Sequence, residues 1–170
     1  MVELDFIESM SIPDCKIIVP DVFKDHRGEY VCTFSEKEYE EKLGVKFVED
    51  DISVSERNVF RGLHGDDKTW KLVQCLYGEI FLVLLDCRCE NGSCQKFILS
   101  DENRLQVLVP PGCANGHYVL SDKAIFSYKQ SEYYSGQKNQ FTIKYNDPRI
   151  PRDFLYREFF PITSERDAVQ

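Results

Sequence analysis

Gly78-Glu-Ile-Phe-Leu-Val-Leu-Leu-Asp86 is the stretch whose reading decides the fold. A glycine turn opens it, and from Ile80 to Leu85 it is apolar without alternation. That is the pattern of a strand in the middle of a two-sheet core, covered on both faces. Working outward, short apolar or β-branched runs recur at Lys16–Val19, Glu29–Phe34, Phe47–Ser53, Lys71–Tyr77, Gln95–Leu99, Gln106–Val109, His117–Leu120, Ala124–Gln130 and Gln140–Lys144. Turn residues stand between them at Asp25–Gly28, Tyr77–Gly78, Asn91–Gly92, Pro110–Gly112 and Ser121–Asp122. Strands at roughly 8–12-residue spacing make a sandwich or a barrel, not alternating β and α units. A jelly roll fits best, and pattern leaves other barrels open. One helix is signed: Ser35 and Glu38 form a capping box, Glu36 to Leu43 is a helix-forming run, and Gly44 ends it. Pro148, Pro151 and Pro161 break the C-terminal stretch into irregular segments expected to pack over the end of the sheet.

The chain has 170 residues, enough for a core without metals or disulfides. No repeat, low-complexity tract or Gly/Ser linker divides it, so residues 1–170 read as a single domain. Apolar residues at 42% and charged residues at 29% exclude a disordered or membrane-spanning chain, and no apolar run approaches the roughly 18 residues of a membrane helix. The net charge of −8, from 29 acidic and 21 basic residues, argues against non-specific nucleic-acid binding, which needs a basic surface. The acidic N-terminus lacks the basic flank and apolar stretch of a signal peptide, so the expected location is cytoplasmic. The seven cysteines are odd in number and contain no C-x-x-C pair, as reduced, mostly buried thiols would.

Three histidines, His26, His64 and His117, lie far apart without H-x-H spacing, which argues against a metal site. His64 stands in Arg61-Gly-Leu-His-Gly65, at a strand end beside a flexible glycine, where a ring can face the open mouth of a barrel. A lone histidine is more often a hydrogen-bonded structural group. Around it gather Arg57, Arg61, Lys68 and Lys71, with Arg27 in an earlier Asp-His-Arg-Gly turn. In so acidic a chain such a cluster suits an anion, ordinary surface cations being the plainer alternative. Tyr128 shares a strand face with Phe126 and could exchange a proton, although most strand tyrosines simply pack. Asp167, in Ser164-Glu-Arg-Asp167, reads locally as the cap of a short turn.

Taken together, Asp25-His-Arg-Gly28, Phe47-Val-Glu-Asp50, Arg61-Gly-Leu-His64, Lys71-Leu-Val73, Asp86-Cys-Arg88, Pro110-Pro-Gly112, Tyr128-Lys129 with Tyr133-Tyr134, and Ser164-Glu-Arg-Asp167 resemble the nucleotide-sugar 3,5-epimerases, collinearly from about residue 12 to residue 168. The resemblance implies an all-β, cupin-type jelly-roll barrel or sandwich, usually a homodimer, acting on a nucleotide-diphosphate sugar. His-Gly-Asp-x-Lys-Thr-aromatic-Lys-Leu-Val at 64–73 and Asn-x-His-Tyr-Val at 115–119 are similar to the branch that epimerises GDP-linked 4-keto-heptoses in capsule synthesis. Position by position, the resemblance puts the general base on His64, its orienting carboxylate on Asp167, the tyrosine acid on Tyr128 and a lysine near the sugar's O4 on Lys71. Arg61 matches the arginine before the base motif, and Arg27 one that reaches the nucleotide, across the dimer if need be. Arg57 and Tyr134 join the expected nucleotide-binding set. Asn115 replaces a family histidine, with His117 two residues along on the same side of a strand, and Cys32 replaces a common Glu. Glu49 and Asp51 stand where the dTDP enzymes often carry Gln and Asn, and carboxylates suit the adjacent N–H donors of guanine.

The chemistry implied needs no cofactor. A C4 ketone acidifies the C3 and C5 protons, a neutral imidazole removes one, and an acid on the opposite face returns one. The expected activity is therefore epimerisation at C3, and at C5, of a GDP-4-keto-heptose. The alternatives are a dTDP-4-keto-6-deoxyglucose 3,5-epimerase of rhamnose synthesis, a cupin ketoisomerase, and a non-catalytic sugar-nucleotide-binding domain.

Overall fold

In the computed structural model, which describes residues 5–151 and 161–168, the run from Ile80 to Leu85 is buried throughout, inside one strand. In chain order the strands are β1 (Asp5–Glu8), β2 (Lys16–Val19), β3 (Val22–Asp25), β4 (Gly28–Val31), β5 (Glu49–Glu56), β6 (Phe60–Gly65), β7 (Lys71–Tyr77), β8 (Glu79–Asp86), β9 (Cys94–Ser100), β10 (Gln106–Val109), β11 (Cys113–Val119), β12 (Lys123–Gln130) and β13 (Phe141–Thr142), with α1 (Glu36–Leu43) between β4 and β5. One sheet runs β1-β2-β10-β7-β12-β5, the other β13-β6-β11-β8-β9, and β3 pairs with β4 as a separate hairpin. Neighbouring strands in each sheet are antiparallel. The expected jelly roll is thus a two-sheet sandwich. It is not a closed barrel, because among the described residues no ladder joins the two large sheets.

Strand β8 is apolar on both faces because it serves two cores. Ile80, Leu82 and Leu84 pack between the sheets with Val73, Val107 and Phe126. Phe81, Val83 and Leu85 turn the other way, onto Phe60, Leu63 and Ala114, where Phe141, Ile143, Tyr145 and Ile150 cover them. The proline-punctuated stretch after β13 therefore supplies a second lid of apolar side chains as far as residue 150, and residues 152–160 lie outside the described part. Each buried Leu, Ile or Phe is worth about 1.5–3 kcal/mol of transfer free energy, so the two cores dominate the fold's stability.

Helix α1 has the expected bounds, and Gly44 closes it in the left-handed conformation (φ 68°), donating its N–H to the Glu40 carbonyl. The capping box does not form: Ser35 occupies the N-cap position without a side-chain bond to the helix. Packing holds the helix instead. Tyr39 is buried over Ile18, Leu72 and Leu108 on the outer face of the six-stranded sheet, and its hydroxyl lies 2.7 Å from Gln106 Oε1.

Two strands, β1 and β3, escape the sequence pattern, and a third, β6, shows in it only as a strand end at His64. The first two are exposed edge or hairpin strands with little apolar signal. The third is masked by its glycine, and β11 begins at Cys113, not His117, for a related reason. Gly62 in β6 lies so close to β11 that a Cβ there would sit 2.5 Å from Gly116 Cα and 2.7 Å from the Asn115 carbonyl oxygen. Its φ of 121° also disfavours any L side chain. Here the two strands pair His64 with Asn115, and the register slips before His117 meets Arg61. Gly62→Ala should cost about 2–4 kcal/mol in urea denaturation, through overpacking and backbone strain. Unchanged stability would show that β6 and β11 can separate freely.

Candidate active site

A cavity of about 710 Å³ lies between the sheets. One wall comes from β6 and β11 and carries His64, Asn115 and His117. The facing wall comes from β5, β7 and β12 and carries Glu49, Asp51, Lys71, Phe126, Tyr128 and Gln130. Residues 162–167 supply a third side. A second cavity, of about 550 Å³, shares Gln130, Tyr134 and Gln140 with the first. Strand β5 shows why the mouth is polar. Its alternation is inverted, with Glu49, Asp51 and Ser53 lining the cavity while Ile52 and Val54 face outward and are exposed.

His64 and Asp167 are 103 positions apart in sequence and meet at 2.6 Å, Nε2 to Oδ1. The carboxylate's other oxygen accepts the Gly62 N–H at 3.2 Å. The turn at 164–167 that the sequence suggested for Asp167 exists, with its N–H donating to the Ser164 carbonyl, but the carboxylate points into the site instead of capping that turn. Burial pushes the Asp167 carboxyl up. The bonds from His64, Gly62 and Ser164 together with the His64 charge outweigh that and hold it below the usual carboxylate range. Asp167 is therefore an ionised acceptor at neutral pH, so His64 Nε2 must carry the donated proton and Nδ1 is left as the basic nitrogen. The aspartate side chain is 4% exposed and the histidine 24%, which seals the orienting group and leaves the ring open to the cavity.

On the facing wall, Lys71 is 7% exposed and reaches across the sandwich to Asn115 Oδ1 at 3.3 Å. Burial lowers its pKa, opposed by Asp66 and assisted by Arg166. Tyr128 lies on the same face as Phe126, ring centroids 5.6 Å apart. Burial and the charges of Asp51 and Glu49 raise its phenol pKa. His117 does lie on the cavity side with Asn115, but it is 3% exposed, stacks on Phe126 at 4.1 Å, and is pushed down to about 3 by burial and Arg61. It is a neutral wall residue. Arg61 lines the cavity and donates Nε–H to Ser55 at 2.9 Å. Glu49 and Asp51 both accept from the Gln130 amide at 3.1 Å, and Glu49 also accepts the Tyr134 N–H at 3.0 Å.

Two expected nucleotide contacts do not line this cavity. Arg57 pairs with Asp122 at 2.9 Å on the surface, and Arg27 pairs with Asp25 at the tip of the β3–β4 hairpin. Arg166 does line it, holding Thr142 Oγ1 at 2.9 Å through Nε, although sequence reading passed over it in favour of its neighbour Asp167. Its signal was that same tail motif, whose turn brings the consecutive residues Arg166 and Asp167 both to the cavity. With Arg61 and Lys71 it gives the cavity three cations, a charge set suited to a diphosphate. Among the described residues, no group of three His, Cys, Asp or Glu side chains could hold a metal. The seven cysteines are free thiols, of which Cys15, Cys75 and Cys113 are buried.

Residues 9–170 match the family model described as dTDP-4-dehydrorhamnose 3,5-epimerase. The protein of that name from Salmonella typhimurium is 38% identical over 167 residues, covering 94% of this chain and 90% of the relative. The crystal structure of a dTDP-6-deoxy-D-glucose-3,5-epimerase from Legionella pneumophila in complex with dTDP-4-keto-L-rhamnose is 36% identical, with a TM-score of 0.85 over 97% of this chain and 90% of that one. That of a dTDP-4-dehydrorhamnose 3,5-epimerase from Bacillus anthracis, with TDP and PPi bound, is 32% identical, with a TM-score of 0.86 over 97% of both chains. These relatives are dTDP enzymes, and the expected likeness to a GDP-heptose branch gains no support from them.

The depressed Asp167 carboxyl gives a pH signature. Its stabilising contribution is complete above the ordinary aspartate value of about 3.9 and is lost as pH falls through the lower folded value. Asp167→Asn should lose about 1–3 kcal/mol near neutral pH in chemical denaturation, with the gap from wild type narrowing below about pH 4. A gap independent of pH would show that the carboxylate is not held by these donors.

Proposed function

Because the chain belongs to the dTDP-4-dehydrorhamnose 3,5-epimerase family and is an epimerase, we propose that it inverts C3 and C5 of a dTDP-linked 4-keto-6-deoxyhexose without a cofactor. The observation that carries this reading is an Asp-oriented imidazole on one sheet facing a phenol and a buried ammonium on the other. Nδ1 of His64 removes the proton α to the ketone, and Asp167 stabilises the imidazolium that forms. Charge develops on O4, where the desolvated Lys71 ammonium meets it in a low-dielectric pocket. Tyr128, on the facing sheet, returns a proton to the opposite face of the ring. Arg61 and Arg166 hold the diphosphate. The second cavity, which shares Gln130, Tyr134 and Gln140 with the first, gives the nucleoside room. Arg27 would reach a nucleotide only from a second copy, consistent with a homodimer.

A second reading, a GDP-linked 4-keto-heptose as substrate, is favoured by the Glu49–Asp51 pair, whose carboxylates accept N–H donors such as those on a guanine edge. Incubation with dTDP- and GDP-linked 4-keto sugars in deuterated water, read by NMR, separates the two. Deuterium should enter C3 and C5 of the dTDP sugar with inversion, and His64→Asn should reduce that exchange by at least about 10²-fold. Turnover of the GDP sugar alone would transfer the assignment to the second reading, and undiminished exchange in His64→Asn would remove the base.

Lys71 predicts a second feature. Because burial lowers its pKa, the cation is lost on the alkaline side earlier than an ordinary lysine would lose it. The pH profile of kcat should fall below the usual lysine range of about 10.4, and Lys71→Met should lower kcat by about 10²–10³-fold. A profile flat through that range would show that the ammonium is not needed at O4.

A further inference from the structure

The family reaction needs an acid behind the sugar ring, and one group near that acid has no role in the mechanism above. Asp51 stands directly opposite Tyr128 on the β5–β12 ladder, and Glu49 stands opposite Gln130 on the next inward-facing rung. All four line the cavity. Gln130 is 4% exposed and gives its amide hydrogens to both carboxylates, while the Tyr134 N–H fixes the second oxygen of Glu49. The two acids are thus held on the cavity wall that carries Tyr128, Asp51 directly opposite it on the ladder, by donors that leave them little freedom to turn away.

We propose that Glu49 and Asp51 are positioning residues that keep Tyr128 in its phenol form in the resting site, so that it enters the forward reaction as the proton donor to the enolate. The inference rests on Tyr128 being the acid. Two negative charges in a partly buried wall make a phenolate costly, and burial adds to that cost. The donation itself is not impeded, because an enolate carbon is far more basic than any phenolate: the O–H bond breaks and leaves its pair on the phenolate, the enolate's C=C pair forms the C–H bond, an oxygen pair re-forms the C4 carbonyl, and the phenolate regains its proton from solvent before the next turnover. The other groups facing Tyr128 are Arg61, whose charge opposes the effect, and Tyr134. Lys71, on β7, lies on the same cavity wall. The role also explains the inverted alternation of β5, where acids face inward while Ile52 and Val54 face out.

Activity alone cannot read the phenol, because the loss of the Lys71 cation also lowers activity on the alkaline side, so the primary test is spectroscopic. Tyrosinate absorbance is titrated in wild type, Glu49→Gln, Asp51→Asn and the double variant, each against the same chain carrying Tyr128→Phe. The amides keep the shape and can still accept from Gln130 and Tyr134, and matching circular dichroism confirms the fold. Tyr128 should ionise about one pH unit lower in the double variant, with each single variant in between. In deuterated buffer at a pH between the two titrations, the double variant should exchange label without inversion several-fold more often. Its unprotonated phenol leaves His64 as the only proton source. An unmoved titration in the double variant overturns the proposal, as does a moved titration with unchanged partition. If Tyr128→Phe keeps full inversion, the acid assignment itself has failed, and the titration still reports separately whether the carboxylates govern the phenol.

Discussion

The contact between His64 Nε2 and Asp167 Oδ1 is what the rest of the structure serves. A carboxylate removed from water is costly unless donors satisfy it. Here the donors are the imidazole, the Gly62 amide and the Ser164 hydroxyl, which between them fix the aspartate at the end of a tail that arrives from far along the sequence. The same bond fixes the ring, determines which nitrogen is basic and directs it into the cavity. Val59 and Ile162 bring the tail alongside the start of β6 through a parallel bridge, so the pair depends on backbone pairing and not on a flexible reach.

A two-sheet sandwich suits chemistry that must address opposite faces of a sugar ring. His64 stands on the five-stranded sheet, Tyr128 and Lys71 on the six-stranded sheet, and Lys71 ties the two by its bond to Asn115. The close approach of Gly62 and Gly116 belongs to the same design, because it sets the register that puts Asn115 beside His64. Cores on the outer face of each sheet stiffen both walls, one beneath α1 and one beneath the stretch after β13.

Where local chemistry and tertiary role agree, the sequence was legible. Lys16–Val19, Lys71–Tyr77, Glu79–Asp86 and Gln106–Val109 are strands with the bounds their apolar runs suggest, and α1 ends where Gly44 says it should. Legibility failed where burial serves the site. Strand β6 carries His64 but shows in the sequence only as a strand end beside a glycine, because that glycine answers a backbone contact with β11. The cations around His64 looked like one cluster; the fold divides them, sending Arg61 and Lys71 into the cavity, Lys68 to its neighbour and Arg57 to Asp122 on the surface. Asp167 was recognised only through family resemblance, since nothing local distinguishes a capping aspartate from one that crosses the molecule to a histidine. Arg166 was missed for the same reason. The nucleotide could not be read from short segments such as His64–Val73, because residues around the base also serve the fold.

Nitrogen NMR of the histidine rings in the wild-type protein, with His64 identified by its absence in His64→Asn, tests the pairing most directly. The geometry predicts a ring whose Nε2 carries the proton donated to Asp167. A bare Nε2, or a ring exchanging between both tautomers, would contradict it.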